Sequence, residues 1–217
     1  MSERPVVWQN LVLGINISGV FNMVFRRLVS FALCAAFAFS FSSLRADEAA
    51  KKAETVEVKL RDLVLNLPKD WAASDTVNSM RLATYDIPNV EGDKEKGELA
   101  ISTFGGDGGG VSANLERWVG QFDAEGREVT IKKGMVGENA YHVADISGTY
   151  QKSVGPPILR KTTPAKGYRM LGMIVQVKGK GVYFLKLTGP DATVRAQAEA
   201  LRSAIGAKSE GEEDYEL

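Results

Sequence analysis

YRMLGMIVQVKGKGVYFLKLT, residues 168–188, holds two apolar-rich runs about a Lys178-Gly179-Lys180-Gly181 turn. Tyr168–Val177 and Val182–Thr188 read as paired strands, the clearest hairpin in the chain. Shorter runs of the same kind lie upstream. Val56–Leu60 and Leu63–Leu67 alternate apolar and polar residues, and Pro68-Lys69-Asp70 then turns the chain before Trp71. Met80–Ile87 and Glu98–Phe104 form a second pair around the polar 88–97 loop, and Arg127–Lys133 and Ala140–Tyr150 are further strands. Two segments have helical periodicity instead. Ser112–Phe122 sets Leu115, Trp118, Val119 and Phe122 on one face. Pro190–Ile205 does the same with Val194, Ala198, Leu201 and Ile205; Pro190 and Asp191 suit its start, and Gly206 suits its end. Several strands, two amphipathic helices and no regular βαβ alternation predict an α+β fold with a mainly antiparallel sheet flanked by helices.

The 217 residues carry 27 Lys+Arg and 27 Asp+Glu, with one cysteine and one histidine. That balance describes a globular chain of one main domain. Zero net charge argues against a general nucleic-acid binder, which needs a basic excess to displace counterions. A single cysteine excludes an internal disulfide framework and Cys-rich zinc sites, and a single histidine disfavours His-based metal sites.

Residues 23–46, MVFRRLVSFALCAAFAFSFSSLRA, read as a secretory signal peptide. Arg26 and Arg27 form its positive start, Leu28–Phe41 is an uncharged, mostly apolar stretch, and Leu44 and Ala46 occupy the −3 and −1 positions of a cleavage site after Ala46. The alternative is an uncleaved anchor over residues 24–44, although a membrane span needs roughly 20 apolar residues. Cys34 lies inside the apolar stretch, where an apolar filler is expected rather than a lipidated cysteine. Residues 1–22 fit this pattern poorly, and Met23 is the better translation start. One acid and four bases precede Asp47, so residues 47–217 have a net charge of −3 and no cysteine. The expected destination is periplasmic or extracellular. Residues 47–54 form a charged leader, 55–207 a single domain, and 208–217 an acidic tail expected to fray.

The run Leu67-Pro68-Lys69-Asp70-Trp71 resembles the early Leu-Pro-x-x-Trp signature of PsbP-like domains. The glycine-rich turn before SANLERWVGQF (112–122), with SGTY (147–150) and KLTGPDATV (186–194), is similar to a set of exported bacterial proteins of unknown function. The resemblance spans Thr55 to Ala207 and implies an α/β/α sandwich around an antiparallel sheet. It carries over neither catalytic residues nor the photosystem partner for which the family is named.

Candidate chemistry is sparse. Gly105, Gly106, Gly108, Gly109 and Gly110 precede the Ser112 helix, and glycine amides beside a helix start can hold an anion. The loop nevertheless lacks P-loop and G-x-G-x-x-G spacing, and Asp107 would repel an anion, so a structural turn competes with this reading. His142 is expected opposite Tyr141, Val143 and Asp145 on its strand, without a local carboxylate to orient it as a base. No G-x-S-x-G elbow occurs. The 151–167 segment, QKSVGPPILRKTTPAKG, reads as a loop presenting Lys152, Ile158, Leu159, Arg160, Lys161 and Lys166 to an acidic partner, with Arg169 just beyond. The acidic runs Glu91–Glu98 and Glu210–Glu216 lack EF-hand spacing and read as solvated. Trp118 belongs to the apolar helical stripe rather than to a ligand stack.

The leading expectation is an exported, non-enzymatic domain that binds another envelope macromolecule through the 151–167 loop, with no cofactor, no metal and no nucleic acid. The alternatives are an anion or small-ligand binding protein using Gly105–Gly110, and a hydrolase with dispersed carboxylates.

Overall fold

The computed structural model describes residues 54–75, 79–155, 159 and 161–217. The readings of residues 1–22, of the 23–46 signal peptide and of most of the 47–54 leader lie outside the described residues, as do Ile158 and Arg160.

Two strands, β1 (Thr55–Leu60) and β2 (Leu63–Pro68), form a hairpin in which Val58 faces Leu65. Arg61 takes φ 57° in the two-residue turn that joins them. The remaining strands are β3 (Ala72–Ala73), β4 (Ala83–Ile87), β5 (Gly97–Phe104), β6 (Glu128–Val136), β7 (Asn139–Ser153), β8 (Thr162–Val177), β9 (Gly181–Pro190) and β10 (Glu213–Asp214). They make one antiparallel sheet in the order β10-β6-β7-β8-β9-β5-β4-β3. Helices α1 (Val111–Val119), α2 (Asp191–Ala196) and α3 (Ala198–Ala204) complete the fold, which is α+β as the strand and helix patterns predict. Among the described residues no helix is long and apolar enough to cross a membrane.

Strand alternation splits the core in two. On one face Leu185 and Leu187 of β9, Leu99 and Ile101 of β5, and Leu171 and Met173 of β8 pack beneath Leu65, Leu67, Trp71, Val194 and Leu201 from β2, the turn after it, α2 and α3. On the other, Phe184, Ile146, Met170 and Ile174 receive Leu115, Trp118 and Phe122 from α1 and its exit. Arg169 ties α2 to the sheet by bonding Asp145 of β7 and, at 2.8 Å, Asp191.

Several boundaries move for identifiable reasons. The first helix ends at Val119, with the Gly120 N–H still bonding the Glu116 carbonyl in helical fashion; Phe122 lies beyond the helix yet stays buried. The second is two short helices that part at Gln197 (φ −101°, ψ 1°), and Val194 and Leu201 remain buried. The 151–167 segment is not a plain loop. It is the far end of the β7–β8 hairpin, paired as far as Ser153 with Thr162. Pro164 fits there because β9 ends at Pro190 opposite Tyr168, so the arm beyond has no strand on that side to need an N–H.

The acidic tail needs the largest correction. Instead of fraying, it turns through Ser209–Gly211, adds β10 to the sheet edge through Asp214 opposite Lys132, and donates the Tyr215 N–H to the Ile131 carbonyl at 3.0 Å. Glu212 anchors it by a two-pronged ion pair with Arg202 of α3, at 2.8 and 3.1 Å.

Candidate functional site

Across the sheet, Ala144, Gly172, Lys186, Ala100 and Thr84 lie side by side on one face, one residue from each strand from β7 to β4. Apart from Lys186 these are small residues, which leave a trough, and α1 fills one end of it. The Trp118 ring rests on Gly172 so closely that a Cβ there would meet Trp118 Cε3 at 2.5 Å. Trp118 also packs edge-on against Phe184 at 6.3 Å, and Phe104 lies 5.6 Å from the other side of Phe184.

Beyond Trp118 the same face opens into a cleft of about 520 Å³. Ala100, Ser102 and Lys186 form its floor; Phe104, Trp118 and Phe184 form an aromatic wall; Arg81 and Arg117 stand at its sides. Its lining carries three cations and no carboxylate. Glu98 lies beside it, engaged with Arg81 at 3.1 Å. Arg117 is oriented by a hydrogen bond to the Asn114 side chain. Lys186 has no acidic partner among the described residues. Its ammonium donates to Gln121 Oε1 and, at 3.0 Å, to the Tyr150 hydroxyl, and it lies 5.2 Å from the Tyr150 ring centre. Burial of the ammonium, with Arg81 close by, lowers the Lys186 pKa to about 8. A cleft with excess positive charge and a flat apolar wall suits a ligand that joins an anionic group to an apolar body.

No protein-family model matches the chain, and no curated protein matches it. Its solved structural neighbours include the solution structure of cyanobacterial PsbP (CyanoP) from Synechocystis sp. PCC 6803. That likeness has a TM-score of 0.43 and 13% identity, over 75% of this chain and 94% of that one. They also include the crystal structure of PA94, a protein of unknown function from Pseudomonas aeruginosa, with a TM-score of 0.40 and 14% identity over 70% and 94% of the two chains.

The glycine loop borders the cleft only through Gly108, and several of its own groups are bonded within the loop or to α1. Asp107 accepts from the Gly109 N–H at 2.9 Å, its carbonyl takes the Gly110 N–H, and Asn114 donates to the Gly108 and Gly110 carbonyls. Gly108 is required sterically: at φ 66°, a Cβ would lie 2.7 Å from the Phe184 ring. Of the other anion-site glycines, Gly105, Gly106, Gly109 and Gly110 do not line the cleft.

Of the expected partner-binding residues, Lys152 is engaged by Glu95 at 2.9 Å, and Glu95 also accepts from Tyr168 at 2.6 Å. Leu159, Lys161 and Lys166 are exposed on the arm. Tyr150 and Tyr168 stack at 6.1 Å, connecting the root of the arm to Lys186. Sequence reading does not single out Arg81, Arg117 or Lys186, since each is a lone cation in an unremarkable run.

His142 packs edge-on against Tyr215 at 4.7 Å, and its Nδ1 is buried without a hydrogen-bond partner. Burial and, next, Lys133 on the neighbouring strand lower its pKa; Lys133 is itself 3.7 Å from Glu213 of the tail. The unfolded chain titrates near 6.5. The folded state therefore favours the neutral ring, and this contribution to stability is full above pH about 6.5 and is lost as pH falls toward the folded value. Urea midpoints at pH 8 and pH 5 are expected to differ less in His142→Phe than in the wild type. Among the described residues no three of His, Cys, Asp and Glu come together as metal ligands.

Proposed function

We propose that this chain is an exported binding domain, directed outward by residues 23–46, whose main recognition site is the cationic, aromatic-walled cleft over β5 and β9. The observation that carries the reading is the convergence of Arg81, Arg117 and Lys186 around a small-residue floor with no lining carboxylate. Like charges held together in a partly buried site cost free energy in the empty protein, and an anion relieves that cost. The ligand class is an organic anion, a carboxylate, phosphate or sulfate bearing a ring or short apolar chain. This is the small-ligand alternative of the sequence reading, moved from the glycine amides to side chains of the sheet and α1.

Thermal unfolding with millimolar phenylacetate, phenyl phosphate and their uncharged amide or alcohol analogues tests the proposal. The anions are expected to raise the unfolding temperature and the neutral analogues are not. Loss of a charge-assisted bond in Arg117→Gln or Lys186→Gln should weaken anion binding about 10-fold or more. Equal effects of anions and neutral analogues, or none from either, contradict it.

A second reading, docking to another envelope macromolecule, is favoured by the tip of the β7–β8 arm. Val154 and Leu159 are 40% and 54% exposed there, flanked by the exposed cations Lys161 and Lys166. An acidic, partly apolar surface is the complementary partner. The Lys161→Glu/Lys166→Glu double variant should lose any salt-sensitive partner captured by crosslinking from an envelope extract; retention of that partner removes the arm from consideration.

A further inference from the structure

Lys186 differs from the other lysines around it. Lys152 is paired with Glu95, Lys132 with Asp214, Lys133 with Glu213 and Lys178 with Glu138, each ammonium beside a carboxylate. Lys186 instead points into a cleft, bordered by neutral hydrogen-bonding groups on two sides: Gln121 after α1, and Tyr150 on β7. The charged groups that act on it are Arg81 from the segment before β4, Arg117 from α1 and Glu98 from β5, two cations against one acid. A lysine nitrogen placed this way beside other cations is the arrangement that makes an amine nucleophilic near neutral pH.

We propose that Lys186 condenses reversibly with the carbonyl group of an aldehyde or α-keto acid whose anionic end is held by Arg81 and Arg117. The proposal rests on the reading of the cleft as an organic-anion site and adds the carbonyl as the ligand's second feature. The neutral amine of Lys186 attacks the carbonyl carbon and its lone pair forms the new C–N bond, while the C=O pair moves to oxygen. Nitrogen gives up one proton as the oxyanion takes one to become a hydroxyl; that hydroxyl takes a second proton and departs as water, nitrogen loses its other proton, and a C=N bond remains. Amine plus carbonyl yields imine plus water, so no oxidant or reductant is needed. Tyr150 stands 3.0 Å from the nitrogen, and its phenol, pushed up in pKa by burial and then by Glu98, stays protonated and able to donate to the departing oxygen.

The test uses the full chain with phenylglyoxylate, an α-keto acid carrying a ring, and sodium cyanoborohydride to fix any imine as a stable secondary amine. Adducts are mapped by peptide mass spectrometry. Lys186 is expected to be labelled at pH 7.5 about 10-fold or more faster than the exposed Lys161 and Lys166, because a pKa near 8 leaves far more neutral amine than an ordinary lysine has. Its labelling rate should rise with a midpoint near pH 8. Phenylacetate, which has the anion and ring but no ketone, should suppress the Lys186 adduct, and Lys186→Arg should abolish it while leaving the surface adducts unchanged.

Binding of phenylacetate in the cleft, together with adducts spread over the surface lysines, overturns the amine chemistry and leaves the anion site standing. Absence of both binding and selective labelling overturns the two together. Selective labelling of Lys186 that phenylacetate does not suppress overturns the placement of the anion on Arg81 and Arg117. The wild-type protein alone, through its adduct map and its phenylacetate binding, decides the first of these outcomes, so it does not depend on any variant folding.

Discussion

Glu212→Ala is expected to destabilise the fold by about 3–5 kcal/mol, the usual cost of removing one member of a buried ion pair. The Arg202 and Glu212 side chains are only 9% and 3% exposed, and they meet through two parallel N–H···O bonds. Alanine at 212 leaves the guanidinium enclosed, with the Ala198 carbonyl at 3.3 Å and the exposed Glu199 at 3.5 Å as its remaining partners. Urea unfolding of the full chain measures the loss. Replacing both partners, as Arg202→Met/Glu212→Leu, should cost much less than either single change, because no charge is then left buried. A Glu212→Ala midpoint equal to that of the wild type would show that the tail does not hold the place described for it.

The second large effect belongs to Gly172. Gly172→Ala puts a methyl group where the Trp118 ring lies, and overpacking of this kind costs about 1–3 kcal/mol. Trp118→Ala removes the ring and should cost about 3–5 kcal/mol by leaving a cavity. In the double variant the methyl enters space the ring has vacated, so the combined loss should fall short of the sum by about 1–3 kcal/mol. Because Trp118 is also a wall of the cleft, Gly172→Ala should weaken anion binding even where the protein remains folded. Strictly additive losses would mean that the ring does not rest on the glycine.

The contrast between these two sites explains what a single sequence reveals. The 168–188 hairpin is legible because Tyr183, Leu185 and Leu187 serve one core while Phe184 serves the other, and apolar residues that run through a strand mark burial on both faces. The Leu115, Trp118 and Phe122 stripe is legible for the same reason, at helical spacing. The tail is not, because what orders Glu212 is a single arginine on a preceding helix, and five acids in a run carry no period. The cleft is hidden more deeply. Arg81, Ala100, Arg117 and Lys186 come from four parts of the chain and meet only through the sheet register and the packing of α1 on the sheet.

The glycine loop is a case where the sequence left two readings side by side, an anion site and a structural turn. Its composition suggests free amides, yet the Asp107 side chain takes the Gly109 N–H and Asn114 donates to the Gly108 and Gly110 carbonyls. The local clue was present in Asp107 itself: an acid within a glycine turn can fill the amide nest that an external anion would need.

The central claim is that an organic anion binds over β5 and β9. Amide chemical-shift mapping of the full chain during a phenylacetate titration tests it most directly. The account predicts saturable shifts centred on Ala100, Ser102, Arg117, Gln121 and Lys186, reduced in Arg117→Gln and absent with phenylacetamide. Shifts confined to Gly105–Gly110 or to the arm around Lys161 and Lys166, or the same shifts with phenylacetamide, would contradict it.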